Sequence, residues 1–237
     1  FLENHDEQRI PSDDFAGSAK HGKPALTVSA LINTAPFLLY FGQDVGEDGS
    51  EDMGFGSPTR TTIFDYAGVP AHQRWMNLGK FDGGQSTAEE ISLRRFYENV
   101  LQIASNNTAI RGDFVSLHQA NLTQAVLEGN SYEEPQSSRP HGYTEQQFAF
   151  IRNAENNAIL VIANFSKEAT GEFTLTIPSG DMTEIIALGR RFNSTKPISI
   201  KALLPHDGAT MTATDNGLEI TISLAGLESK VFDLVPN

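Results

Sequence analysis

Apolar and polar positions follow two different rhythms along this chain, with the change near residue 108. At the start, Phe1 and Leu2 run directly into Glu3, Asn4, His5, Asp6, Glu7, Gln8 and Arg9, as at the C-terminal end of a buried strand that delivers side chains into a site. Residues 23–32 predict a short helix with Pro24 in its first turn, where a missing N–H costs nothing. Pro36 ends that helix and opens residues 37–41, which are apolar on both faces as in a buried parallel strand and are stopped by Gly42. A long loop rich in Gly and Asp is expected from residue 43 to about 86. Thr87 and Glu90 then make a capping-box pair. The helix they start carries Leu93, Phe96, Tyr97, Val100, Leu101 and Ala104 on one stripe and ends at Asn106 and Asn107. Strand, helix, strand, loop, helix is the grammar of a repeating β/α unit.

Beyond residue 108 the pattern is all-β. Residues 147–152 and 158–163 predict a hairpin, and 172–177, 182–187, 218–224 and 230–235 predict further strands separated by turn residues. Residues 118–145 are polar and contain Pro135, Pro140 and Gly142, which predicts a long irregular connection. The expectation is two domains, 1–108 of α/β type and 109–237 an antiparallel sandwich.

Composition narrows the partners. The 237 residues carry a formal net charge of −13, with 17 basic against 30 acidic side chains, which disfavours nucleic acid because phosphate neutralisation needs clustered Lys and Arg. The absence of cysteine excludes disulfides, thiolate metal sites and a Cys nucleophile. No apolar run approaches the roughly 20 residues of a membrane span. Location is not fixed by the sequence; a secreted or periplasmic setting is placed ahead of a cytoplasmic one.

The chemistry-bearing residues concentrate at the start. Carboxylates accept charge-assisted hydrogen bonds from vicinal hydroxyls, so a strand end with Glu3, Asn4, His5, Asp6 and Arg9 suits a hydroxyl-rich ligand. A solvated strand-to-loop junction would use the same residue types. Two successive parallel strands with polar C-terminal ends, here before Gly42-Gln43-Asp44 as well, match a (β/α)8 barrel, whose sites lie on that face.

These residues carry a resemblance. Phe1 to Arg9 resembles the strand-seven motif of the α-amylase family, glycoside hydrolase family 13, which reads roughly F-x-x-N-H-D-x-x-R. Residues 36–44 resemble that family's strand eight, which usually ends Y-x-G-x-E, with Asp44 as a shorter variant whose role stays open. Residues 93–113 are similar to the last barrel helix and its exit. Residues 148–166 resemble the first hairpin of its antiparallel C-terminal domain. The implied fold is the last two β/α units of an incomplete TIM barrel, followed by a Greek-key-like β-sandwich.

By that resemblance, Asp6 would be the transition-state-stabilising carboxylate, gripping hydroxyls of the sugar at the cleaved bond, with His5 donating to the same ring. Asn4 and Arg9 would complete the substrate-binding motif, chiefly by orienting it, and Arg60 would line a neighbouring subsite. The implied reaction is retaining hydrolysis of α-glucosidic bonds, α-1,4 in starch or maltooligosaccharides. Nucleophile and general acid would lie on strands four and five, on polypeptide outside this chain, so the chain alone is expected to be inactive and its first part poorly ordered or oligomeric without the remainder of the barrel. No cofactor or metal is expected in the chain itself, while calcium would be possible in the full-length enzyme. The remaining histidines and the acidic residues 48–52 predict no metal-ligand spacing. Two other readings stand: a non-catalytic carbohydrate-binding sandwich, disfavoured because residues after 109 hold no Trp and only Tyr132 and Tyr143, and a transglycosidase or isomerase of the same family.

Overall fold

Helix α3, Ala88–Asn106, begins where its capping box predicts. The Thr87 N–H donates to Glu90 Oε2 at 2.9 Å and the Glu90 N–H to Thr87 Oγ1 at 3.2 Å, so two of the four orphan amides of the first turn are satisfied reciprocally. Its buried stripe is Leu93, Tyr97, Val100 and Ile103, at spacings of three and four. The computed structural model describes residues 1–51, 61, 69–127, 142–154, 157–178, 198–205, 209–214 and 217–236. Within these the chain divides into two compact units. One is Phe1–Ala30 with Ala35–Gln102, and the other is Leu31–Thr34 with Ile103–Asn237.

In the first unit, α1 spans Gly22–Leu31 with Pro24 in its first turn, as the sequence predicts. The two expected parallel strands do not form. Residues 1–4 and 36–40 carry no secondary structure, and among the described residues no strand pairs in parallel. A strand is defined by its ladder, and among the described residues neither segment forms one, so an apolar run of strand length is not sufficient. Phe1 and Leu38 are 65% and 51% exposed. The expected loop of residues 43–86 contains a second helix, α2, Pro70–Met76. Pro70 stands at its start, where its fixed φ and absent N–H are no cost.

Among the described residues the second unit holds eight strands: β1 Asp113–Ser116, β2 Gln147–Ala154, β3 Asn157–Asn164, β4 Glu172–Pro178, β5 Ile198–Ala202, β6 Thr210–Thr214, β7 Gly217–Ser223 and β8 Ser229–Pro236. They form one sheet in the order β1-β2-β3-β8-β5 and another in the order β4-β7-β6, with all pairs antiparallel. The hairpin β2–β3 is the predicted one. Its register puts Ala149 opposite Ile162 and Ile151 opposite Leu160. These four share one core cluster with Leu175 and Ile177 of β4 and Ile220 and Ile222 of β7, so the two sheets close on each other. The opposite face of β2 presents Arg152, which donates to the carbonyls of Ile32, Ile110 and Gly112 at 2.8, 2.5 and 2.6 Å.

Two features of this unit depart from the sequence reading. β1, β5 and β6 are additional strands, short and on the margins of the sheets, where a pairing partner matters more than a run of apolar residues. A fourth helix, α4, His118–Leu127, opens the stretch expected to be irregular. Asn121 fixes it: its Nδ2 donates to Leu117 O at 2.8 Å and Thr176 O at 2.9 Å, and its Oδ1 accepts the Thr176 N–H at 2.8 Å. The predicted strand 182–187 lies outside the described residues.

Candidate functional site

The opening motif is a turn, and its side chains sort into an exposed tip and a buried base. Asn4 Oδ1 accepts the backbone N–H groups of Asp6 at 2.8 Å and Glu7 at 3.0 Å, an Asx turn that replaces the strand alternation expected here. His5 and Asp6 therefore stand together at the tip, with His5 Nε2 3.2 Å from Asp6 Oδ2 and side chains 53% and 73% exposed. The pair offers a ring nitrogen and carboxylate oxygens to solvent on one protrusion, a donor and acceptor set suited to hydroxyl groups.

Below the tip, Glu3 and Arg9 are 1% and 0% exposed. Glu3 Oε2 accepts from Arg9 Nη1 at 2.9 Å, and its Oε1 accepts the Ile10 N–H at 2.7 Å. Arg9 gives its Nε and Nη2 to Thr61 Oγ1 at 3.0 and 2.6 Å. Its guanidinium carbon lies 4.3 Å from the Tyr40 ring centroid and 5.1 Å from that of Phe41. Burial raises the Glu3 pKa above its ordinary value, and the Arg9 charge together with the bonds from Ile10 and Arg9 opposes that rise. Arg9 is enclosed by protein and presents nothing to a ligand; its place in the motif is beneath the turn. Arg60 lies outside the described residues. Its neighbour Thr61 is fully buried and is also held through its carbonyl by the Tyr40 hydroxyl at 3.0 Å.

The second motif, residues 36–44, bends sharply after Phe41. Gly42 has φ +77°, and a Cβ there would meet Glu47 Cβ at 2.9 Å, so glycine is required both by conformation and by space. The turn that follows buries Gln43, Asp44 and Glu47. Asp44 is ion-paired to Arg94, which sits 4.0 Å over the Trp75 ring, so its carboxylate is committed inside the unit. Glu47 Oε2 accepts the N–H groups of Ala71 at 2.9 Å and His72 at 3.2 Å, at the start of α2, and burial raises its pKa. Its Oε1 has no hydrogen-bond partner. Sequence reasoning placed Glu3 in the ligand-facing cluster rather than beneath it, and gave Glu47 no role. The signal was weak: each is one acidic residue among several, and only the fold separates buried from solvated ones.

A cavity of about 700 Å³ lies elsewhere in the first unit, lined among others by Lys20, Lys23, Glu47, Arg74 and Glu90, and it includes none of Asn4, His5 and Asp6. Among the described residues no group of three or more His, Asp or Glu side chains is placed to hold a metal ion. Trp75 and Phe81 are in ring contact at 5.8 Å, and Phe81 is exposed. In the second unit Tyr143 is buried, with its hydroxyl 2.8 Å from His118 Nδ1, and Tyr132 lies outside the described residues.

Residues 141–231 match the family described as alpha amylase, C-terminal all-beta domain. No curated protein sequence matches the chain. Among solved structures, an alpha-amylase from H. orenii is 16% identical, with a TM-score of 0.54 over 99% of this chain and 39% of that one. AmyP, solved in complex with maltotriose, is 18% identical with a TM-score of 0.56 over 100% of this chain and 41% of that one. The trehalose-6-phosphate hydrolase of Bacillus licheniformis is 16% identical with a TM-score of 0.52 over 98% and 42%. At these identities the likeness is one of fold. The chain spans about two fifths of the length of each of these structures.

Proposed function

We propose, from the match of residues 141–231 to the alpha amylase C-terminal all-beta domain family, that this chain is the C-terminal portion of a retaining glycosidase acting on α-glucosidic bonds, with α-1,4-linked maltooligosaccharides as substrate. The first unit contributes the last two β/α units of the barrel and the second is its C-terminal sandwich. The observation that carries the reading is the His5–Asp6 tip: two exposed, hydrogen-bonding side chains 3.2 Å apart on a turn whose sequence is the family's strand-seven motif. Asp6 accepts hydrogen bonds from hydroxyls of the sugar at the cleaved bond, and these strengthen as the ring flattens toward an oxocarbenium ion, a gain of several kcal/mol in this reaction class. His5 donates to the same ring.

The nucleophile and general acid of this reaction are carboxylates about 5 Å apart, supplied by polypeptide outside the chain. The 237-residue chain is therefore expected to bind maltotriose weakly and to hydrolyse nothing. Titration with maltotriose monitored by NMR should move the resonances of residues 4–7, and Asp6→Asn should abolish that response. Release of reducing sugar from maltooligosaccharides by the chain alone, or a response confined to the second unit, would sink the reading; the latter would favour a carbohydrate-binding sandwich.

A further inference from the structure

We infer that Glu3 and Arg9 are positioning residues: a buried clasp that holds the Asn4–Asp6 turn in the conformation that meets the sugar. This rests on the reading of His5 and Asp6 as the sugar-gripping pair and assigns Arg9 a role other than ligand contact. The geometry is closed on every side. Glu3 precedes the turn and Arg9 and Ile10 follow it, and both oxygens of Glu3 reach across, one to the Arg9 guanidinium and one to the Ile10 amide. The carboxylate thus ties off a short loop at its base while the Asn4 side chain shapes its tip. Neither device uses the side chain of His5 or Asp6, and both remain outside.

The clasp is also fixed from below. Arg9 spends two nitrogens on Thr61 Oγ1 and lies against the rings of Tyr40 and Phe41. Tyr40 in turn holds the Thr61 carbonyl. The base of the first motif is therefore built on side chains of the second, so the tip inherits its orientation from packing around Arg9 rather than from its own few residues. Arginine is required because one planar group supplies Nη1 to Glu3 and both Nε and Nη2 to Thr61 while stacking on Tyr40; a lysine ammonium has neither the fork nor the flat face. A site whose supporting groups are fully buried loses little order when ligand arrives, which is what preorganisation contributes to binding.

The test uses the full chain with Arg9→Lys and Glu3→Gln, beside Val100→Ala, a core truncation in the same unit at a residue outside both motifs. Two readouts are taken: ¹⁵N relaxation and amide exchange of residues 4–7, which need no sugar, and maltotriose affinity. Arg9→Lys and Glu3→Gln are expected to loosen the turn and weaken maltotriose binding by roughly tenfold or more. Val100→Ala is expected to lower the melting temperature while leaving both readouts at their wild-type values. An unchanged turn in both clasp variants overturns the proposal, as does an equal loosening in Val100→Ala, which would make the effect one of general destabilisation. A loosened turn with unchanged affinity also overturns it. A wild-type chain that does not respond to maltotriose at all overturns the glycosidase reading itself, a result separable from the others because the relaxation data stand independently of sugar.

Discussion

The two units put their buried side chains to different use. The second is closed by aliphatic groups: Leu160, Ile162, Leu175, Ile177, Ile220 and Ile222 meet between two antiparallel sheets. The first places Glu3, Arg9, Gln43, Asp44, Glu47 and Thr61 inside while Phe1, Phe15, Leu38 and Leu39 stand outside. Burying a charge is costly unless it is paired and hydrogen-bonded, and here the pairing is nearly complete. Sheets closed on each other by aliphatic groups gain stability from apolar burial, whereas a unit that buries an ion pair beneath a turn gains a fixed geometry. On the proposed function that division is between scaffold and site.

The largest test of this contrast is Arg9→Met. It leaves Glu3 buried without its cation, and the expected loss is about 3–5 kcal/mol. The protein has one tryptophan, Trp75, in the first unit, so denaturant unfolding followed by its fluorescence reads the relevant part. Adding Glu3→Leu to Arg9→Met should recover much of the loss, because removing both charges removes the uncompensated one. In the sandwich, Leu175→Ala should cost about 2–5 kcal/mol by leaving a cavity among aliphatic neighbours, read in the far-ultraviolet CD transition, with no second substitution able to restore it by removing a charge.

A smaller effect is expected at one polar contact inside the sandwich. The Tyr143 hydroxyl accepts the Ala149 N–H at 3.1 Å and meets His118 Nδ1 at 2.8 Å, so Tyr143→Phe leaves a buried amide unsatisfied and should cost about 1–3 kcal/mol. Burial holds the His118 pKa below 6.5. A depressed folded-state pKa means that the unfolded chain takes up the proton first, so this stabilisation is present above pH 6.5 and is lost as pH falls through the folded value. The melting-temperature gap between wild type and His118→Gln should accordingly shift against wild type between about pH 8 and about pH 5. The smallest expected change is Thr87→Ala, which removes half of the α3 capping box for about 1 kcal/mol.

Much of the first unit was legible locally. Pro24, Thr87 and Glu90 mark helix starts through interactions within a few residues, and α1 and α3 follow. That residues 1–4 and 36–40 form no strand was not legible, because a ladder needs a neighbour that periodicity does not reveal. The helix Pro70–Met76 was hidden in a loop whose composition masks about two turns of order. At the candidate site, residue types pointed to a hydroxyl-binding cluster around Asp6, but not to which of its members face solvent.

The sequence by itself determined the nonapeptide motif, the change to an all-β pattern near residue 108 and the hairpin β2–β3, since each depends on neighbours along the chain or on a period of two. Only the tertiary structure decided that Glu3 and Arg9 are buried while His5 and Asp6 are exposed. That sorting is made by Thr61, Tyr40 and Phe41, which lie 31 or more residues away from Arg9 in the sequence (40 − 9 = 31), and a charged side chain's environment is set by whatever the fold packs around it.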